Sequence, residues 1–186
     1  MRKITLFIAM SLDGYIADPQ GGVDWLSGQG GEGEKDFYGE FIRGVDTVVM
    51  GGNTYRQIIE KLSPGRWPYE GLTAYVLTHR PQPAAEGVVF TDGPACRLAA
   101  ELKSRPGKGI WVCGGAAVAQ ALIAGGLIDE YRISIIPTIL GGGIPLFGRL
   151  PAEIKLSLVG ARTSDGMAEL TYRPRGAGSR AGEPRD

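Results

Sequence analysis

GIWVCGGAAVAQALIAGG, residues Gly109 to Gly126, divides into three chemically distinct parts. Ile110-Trp111-Val112-Cys113 is a short apolar run of β-branched and aromatic character, which predicts a strand. Gly114-Gly115 interrupts it. Ala116 to Ala124 is an alanine-rich apolar segment that suits a helix. Strand, paired glycines and helix together build an anion site, because glycines admit close backbone approach and the helix's first N–H groups point outward. The same order also makes a plain strand-to-helix turn, since glycine pairs are common turn signals.

Working outward, the pattern recurs. Asp46 to Met50 reads as a strand ended by Gly51-Gly52, with Asn53 as N-cap of a helix running to about Leu62. Ile4 to Ala9 predicts a buried first strand, broken at Asp13-Gly14, and Asp36 to Arg43 a short helix. Thr73 to Leu77 is a strand closing on Thr78-His79-Arg80, and Val88 to Phe90 a shorter one. Pro94 to Ser104 is a helix with proline at its start. Tyr131 to Ile136 is a further strand, and Gly141-Gly142-Gly143 with Pro145 marks a loop. Leu156 to Ala161 and Ala168 to Tyr172 close as a hairpin around Ser164-Asp165-Gly166. This order predicts an α/β fold, a mostly parallel sheet with an antiparallel C-terminal edge and helices on both faces. Ligands in such sheets bind at the carboxyl ends of strands, where both glycine pairs and Thr78-His79-Arg80 fall.

Composition narrows the chemistry. The 186 residues read as one domain over 1–174, with a tail, 175–186, expected to be disordered. A formal net charge of zero gives no reason to expect nucleic acid or an anionic membrane surface as partner. No apolar run reaches membrane-spanning length. Two cysteines in different elements and no leader before Arg2-Lys3 lead us to expect a reducing, cytoplasmic setting. The single histidine, His79, leaves too few ligands for a His/Cys zinc site, so no metal is expected. Gly28 to Gly33 matches G-x-G-x-x-G literally, but no strand immediately precedes it, so it is read as part of a long loop, Asp18 to Lys35. That loop's length and its one large anchor, Trp25, suit a lid.

The chain resembles the dihydrofolate reductase-like superfamily, and more closely the C-terminal reductase domain of the riboflavin-biosynthesis deaminase–reductase and its stand-alone relatives. Four segments carry the likeness: Ser11 to Ala17, Val49 to Tyr55, Val112 to Gly115, and Ile128 to Glu130 with Gly141 to Phe147. The resemblance implies an eight-stranded sheet with about four flanking helices, and an NADPH site across the strand ends. It implies that Gly51, Gly52, Asn53 and Thr54 carry one phosphate side of the cofactor. Gly114, Gly115, Ala116 and Ala117 would cradle the pyrophosphate, with a cis Gly114-Gly115 bond, and Thr78, His79 and Arg80 would meet the 2′-phosphate. Two departures stand out. The family's basic residue after the first glycine is Gly52 here, and the zinc signature of the deaminase half does not occur.

Three side chains have two readings each. Asp13 is either a proton-handling carboxylate at the substrate pocket or an ordinary Asp-Gly turn. Asp36 is either a pteridine-type carboxylate or an acidic residue favoured in a helix's first turn. Trp25 either covers the reacting rings or anchors the loop. His79 falls among the phosphate contacts or on the surface rather than serving as proton donor, and Cys113 reads as core. The implied activity is NADPH-dependent hydride transfer to a C=N or C=O carbon of a small heterocyclic substrate. The 5-amino-6-(5-phosphoribosylamino)uracil type leads, dihydrofolate or an orphan substrate follows, and a non-catalytic nucleotide-binding or dimerisation module is the competing class. Relatives commonly form homodimers, and the apolar segments Arg132 to Ile136 and Leu156 to Val159 suit an interface.

Overall fold

A computed structural model describes residues 1–27, 37–80, 82–164 and 166–176. The strands are β1 (Ile4–Ser11), β2 (Tyr15–Ala17), β3 (Val45–Gly51), β4 (Thr73–Leu77), β5 (Val88–Thr91), β6 (Gly109–Gly114), β7 (Glu130–Ile136), β8 (Ile144–Pro145), β9 (Leu156–Ser164) and β10 (Met167–Pro174). The α-helices are α1 (Phe37–Ile42), α2 (Gly52–Gln57), α3 (Ala95–Ser104) and α4 (Ala116–Ala124), α2 running on into a π-helical turn, Ile58–Leu62. Eight strands form one sheet in the order β5-β4-β3-β6-β1-β7-β10-β9. Pairing is parallel from β5 to β7 and antiparallel from β7 through β10 to β9.

Both faces of the parallel part are covered, which is why its strands read as unbroken apolar runs. In β3, Val48 and Met50 join Phe41, Tyr55 and Trp111 in one core, while Val49 points to the other with Leu6, Val112 and Leu122. Helix α4 buries Val118, Ala119, Leu122 and Ile123 in that second core, the spacing of one helical face. No helix among the described residues is long and apolar enough to cross a membrane.

Two sequence expectations need correction. Asn53 is not the N-cap of α2: β3 runs on to Gly51, which caps the helix, so Asn53 falls inside its first turn. The glycine-rich segment after β7 is also more than a loop. Ile144–Pro145 forms β8 and pairs antiparallel with β2, making a separate two-stranded ribbon. Gly143 makes the pairing possible. Its φ is +148°, and a Cβ there would stand 2.2 Å from the Ala17 carbonyl oxygen. Residues 28–36, which hold the G-x-G-x-x-G match and Asp36, lie outside the described residues, as do Asp165 and the tail from 177 onward.

Candidate active site

A cleft of about 1250 Å³ runs along the carboxyl ends of β5, β4, β3, β6 and β1. Each βα connection leaves its strand at this edge, so residues that follow strands in the sequence become neighbours in space. Gly51, Gly52, Asn53 and Thr54 line it at the β3–α2 junction, Thr78, His79 and Arg80 at the end of β4, and Gly114, Gly115, Ala116 and Ala117 at the β6–α4 junction. Sequence reasoning had singled out all of these, and the Gly114-Gly115 bond is cis. The two glycine junctions close on each other: a Cβ on Gly115 would lie 3.1 Å from Thr54 Oγ1, and one on Gly51 3.5 Å from the Val118 side chain. This is a cradle that larger residues would fill.

The two ends of the cleft differ in chemistry. Arg56, Lys61 and Arg80 line the β3–β4 end, together with the carboxylates Glu60 and Asp92. At the other end Phe7, Tyr69 and Trp111 form an aromatic wall, and Val23, Leu26 and Ile144 add apolar lining to the cleft. Tyr69 and Trp111 meet edge to face at 5.1 Å, and the Trp111 indole donates to the Phe7 carbonyl oxygen at 2.9 Å. The Tyr69 hydroxyl lies 3.6 Å from Cys113 Sγ. Burial raises the Tyr69 phenol well above its ordinary range and pushes the Cys113 thiol up to about 11, so both stay protonated near neutral pH. Cys113 therefore belongs to the cleft wall as well as to the core. Position 69 carried no sequence signal, because the loop that bears it is read only through its contacts.

Behind Phe7 lies a charged platform that sequence reasoning did not single out. The Arg132 guanidinium sits 5.5 Å from the Phe7 ring centre and 5.4 Å from that of Phe41. Both Arg132 and Arg162 donate to the same oxygen of Glu169, at 3.2 and 3.1 Å, and the Glu169 side chain is 3 % exposed. Its other carboxylate oxygen is buried without a partner among the described residues.

The remaining candidates are placed differently. Asp13 is not among the cleft residues. Its Oδ1 accepts from Ser11 Oγ at 2.7 Å and from the Leu140 amide at 3.1 Å, and its Oδ2 accepts from the Gly141 amide at 2.8 Å. The hydroxyl of Ser11 and these amides hold the Asp13 carboxyl below its usual value. In this arrangement the Asp13 carboxylate clamps the end of β1 to the segment that follows β7. Trp25 sits on a 3₁₀ turn, Asp24–Leu26, whose neighbours Val23 and Leu26 line the cleft while Trp25 does not. Its indole N–H is buried without a partner among the described residues, which favours anchoring. The described part of the loop is tied down, Gln57 Nε2 donating to the Gly21 carbonyl oxygen at 2.9 Å. Asp36 lies outside the described residues.

An eight-stranded, mostly parallel sheet with an antiparallel C-terminal edge, four helices and a cleft over the strand ends defines a dihydrofolate reductase-like α/β protein. The chain belongs to the RibD C-terminal domain family, whose model matches residues 2–168. It is 40 % identical over 172 residues to the uncharacterized protein YwjB of Bacillus subtilis (strain 168), covering 92 % of this chain and 97 % of that one. A structure from Shewanella sp. PV-4, described provisionally as a riboflavin biosynthesis protein, superposes with a TM-score of 0.80 at 31 % identity, covering 94 % of this chain and 99 % of that one. The Thermotoga maritima diaminohydroxyphosphoribosylaminopyrimidine deaminase/5-amino-6-(5-phosphoribosylamino)uracil reductase shares the fold, with a TM-score of 0.67 at 19 % identity. There the match covers 93 % of this chain and 56 % of the larger protein.

Proposed function

We propose that this protein is an NADPH-dependent reductase that transfers a hydride to a C=N or C=O carbon of a small planar heterocycle, of the 5-amino-6-(5-phosphoribosylamino)uracil type. The observation that carries this reading is the polarity of the cleft. A glycine-lined groove with Arg56, Lys61 and Arg80 at one end and an aromatic wall of Phe7, Tyr69 and Trp111 at the other suits a phosphorylated dinucleotide lying beside a flat ring. Family membership supports the reductase class.

The residues present fit the cofactor. Gly51, Gly52, Gly114 and Gly115 leave room for a pyrophosphate against the backbone, and Thr54 and Thr78 offer hydroxyl groups beside it. When bound, the reduced nicotinamide supplies the hydride, which is the difficult part of the chemistry. The chain's own contribution is to orient and to exclude water. The rings of Phe7 and Trp111 are locked by their neighbours Phe41 and Tyr38, so a substrate ring laid on them is held without further ordering. The Tyr69 hydroxyl, kept protonated by burial, is a donor available at the same wall. Among the described cleft residues the carboxylates are Glu60 and Asp92, at the charged end. Membership of the RibD C-terminal domain family is what favours the pyrimidine over dihydrofolate.

Titration of NADPH against intrinsic fluorescence should quench Trp111, and NADPH absorbance should fall with time when the pyrimidine substrate is added. Absence of NADPH binding would remove the reading, and faster turnover of dihydrofolate would replace its substrate.

A further inference from the structure

We propose that Arg56 reads the 2′-phosphate of the cofactor and so separates NADPH from NADH; the inference rests on the dinucleotide reading of the cleft given above. Arg56 lines the cleft from α2. Its Nε donates to the Gly52 carbonyl oxygen at 3.4 Å, and one terminal nitrogen donates to Asn53 Oδ1. Both acceptors are neutral and both belong to the first turn of the same helix, so the guanidinium is drawn back toward the helix start. Its other terminal nitrogen has no hydrogen-bond partner among the described residues, and no described carboxylate lies within ion-pairing distance. Arg2, Arg66, Arg97, Arg105, Arg132, Arg162 and Arg173 each pair with an Asp or Glu, whereas Arg80, at the same end of the cleft, shares with Arg56 the lack of an ion pair among the described residues. A guanidinium positioned by neutral groups keeps its full charge and free donors for an anion.

The neighbouring backbone shapes the spot. A Cβ on Gly52 would stand 2.9 Å from both the Cβ and Oγ1 of Thr78, so the first residue of α2 carries no side chain and the end of β4 packs directly against it. Thr78 Oγ1 accepts from the Arg80 amide at 3.1 Å, which fixes the hydroxyl beside the same junction. An anion seated between β3 and β4 thus meets a planar guanidinium from one element and a hydroxyl from the next. That combination matches a phosphate monoester, whose oxygens accept paired N–H donors. Net field alone does not select it, because Glu60 and Asp92 line this end as well. Directed donors supply the selectivity, and among the cations at this end Arg56 is the one whose guanidinium is held by side-chain hydrogen bonds among the described residues.

Calorimetric titration of the full chain with NADPH and with NADH, for wild type, Arg56→Ala and Arg56→Lys, tests the assignment. We expect Arg56→Ala to weaken NADPH roughly ten- to a hundred-fold, the range of a lost charged hydrogen bond, and to leave NADH within about twofold. Arg56→Lys should fall between, because a point charge keeps the attraction but not the paired donors. Equal losses for both cofactors, or unchanged NADPH affinity in either variant, would overturn the assignment and leave the dinucleotide reading standing. A wild-type chain that binds neither cofactor would remove both.

Discussion

The carboxylate of Asp13 accepts hydrogen bonds from Ser11, Leu140 and Gly141, and so ties the end of β1 to the segment that leads into β8. Ile144 of β8 lines the cleft, which gives this clamp a route to the site without contact with substrate. Because the Ser11 hydroxyl and the two amides depress the folded-state pKa of Asp13, the clamp stabilises the fold above the ordinary carboxylate range. That contribution is lost as pH falls through the lowered value. Asp13→Asn keeps the shape but cannot accept from both amides. Its melting temperature should lie below wild type at neutral pH, and the gap should close once the solution is acid enough to protonate Asp13. A gap that persists unchanged in acid would show that the charge is irrelevant. The sequence motif around Asp13 was legible, but its two amide partners lie more than a hundred positions away, and only the fold brings them together.

Among the elements, the pairing of β7 with β10 carries the least expected feature. Arg132, Glu169 and Arg162 face the same side of the sheet, and Glu40 of α1 joins them through Arg162 at 3.0 Å. A carboxylate this buried is held by two guanidinium groups; neutralising it leaves Arg132, 12 % exposed, without its counter-charge. Glu169→Gln should therefore cost about 3 kcal/mol, the lower end for a broken buried pair because Arg162 stays partly wet. Urea unfolding with an unchanged slope would measure it. The loss should depend little on salt, unlike any effect of the exposed pair Arg97–Glu101. A change within experimental error would show that the platform contributes nothing to stability. In sequence, Arg132 to Ile136 reads as an apolar segment and Glu169 is not singled out; α1 lies on the face where the two meet, and nothing local in β7 or β10 announces it.

Over the whole molecule, one apolar surface is left open by the described residues. Met10, Ile133, Ile135, Phe147, Leu156 and Leu170 surround an apolar hollow of about 190 Å³ on the sheet face away from α1. Next to it β9 is the sheet's edge strand, with Leu158 56 % and Val159 49 % exposed. The proposed homodimer would bury this region, the segments Arg132 to Ile136 and Leu156 to Val159 among it. Sedimentation should then give twice the chain mass at micromolar concentration, and Leu158→Glu should shift it to the monomer; a monomeric wild type would dismiss the pairing. The order of the main-sheet strands and the helices, the parallel sheet with its antiparallel edge, and the cleft residues at the ends of β3, β4 and β6 were legible in the sequence by itself. Those signals are local: periodicity sets which backbone forms, and a glycine pair marks where a strand stops. Tertiary structure alone decided that Phe7, Tyr69 and Trp111 make one wall, that Asp13 clamps a distant loop, and that Arg56 has no carboxylate partner among the described residues. Such facts depend on the register at which remote strands pair and on which face a helix covers, and no window of the chain contains both partners.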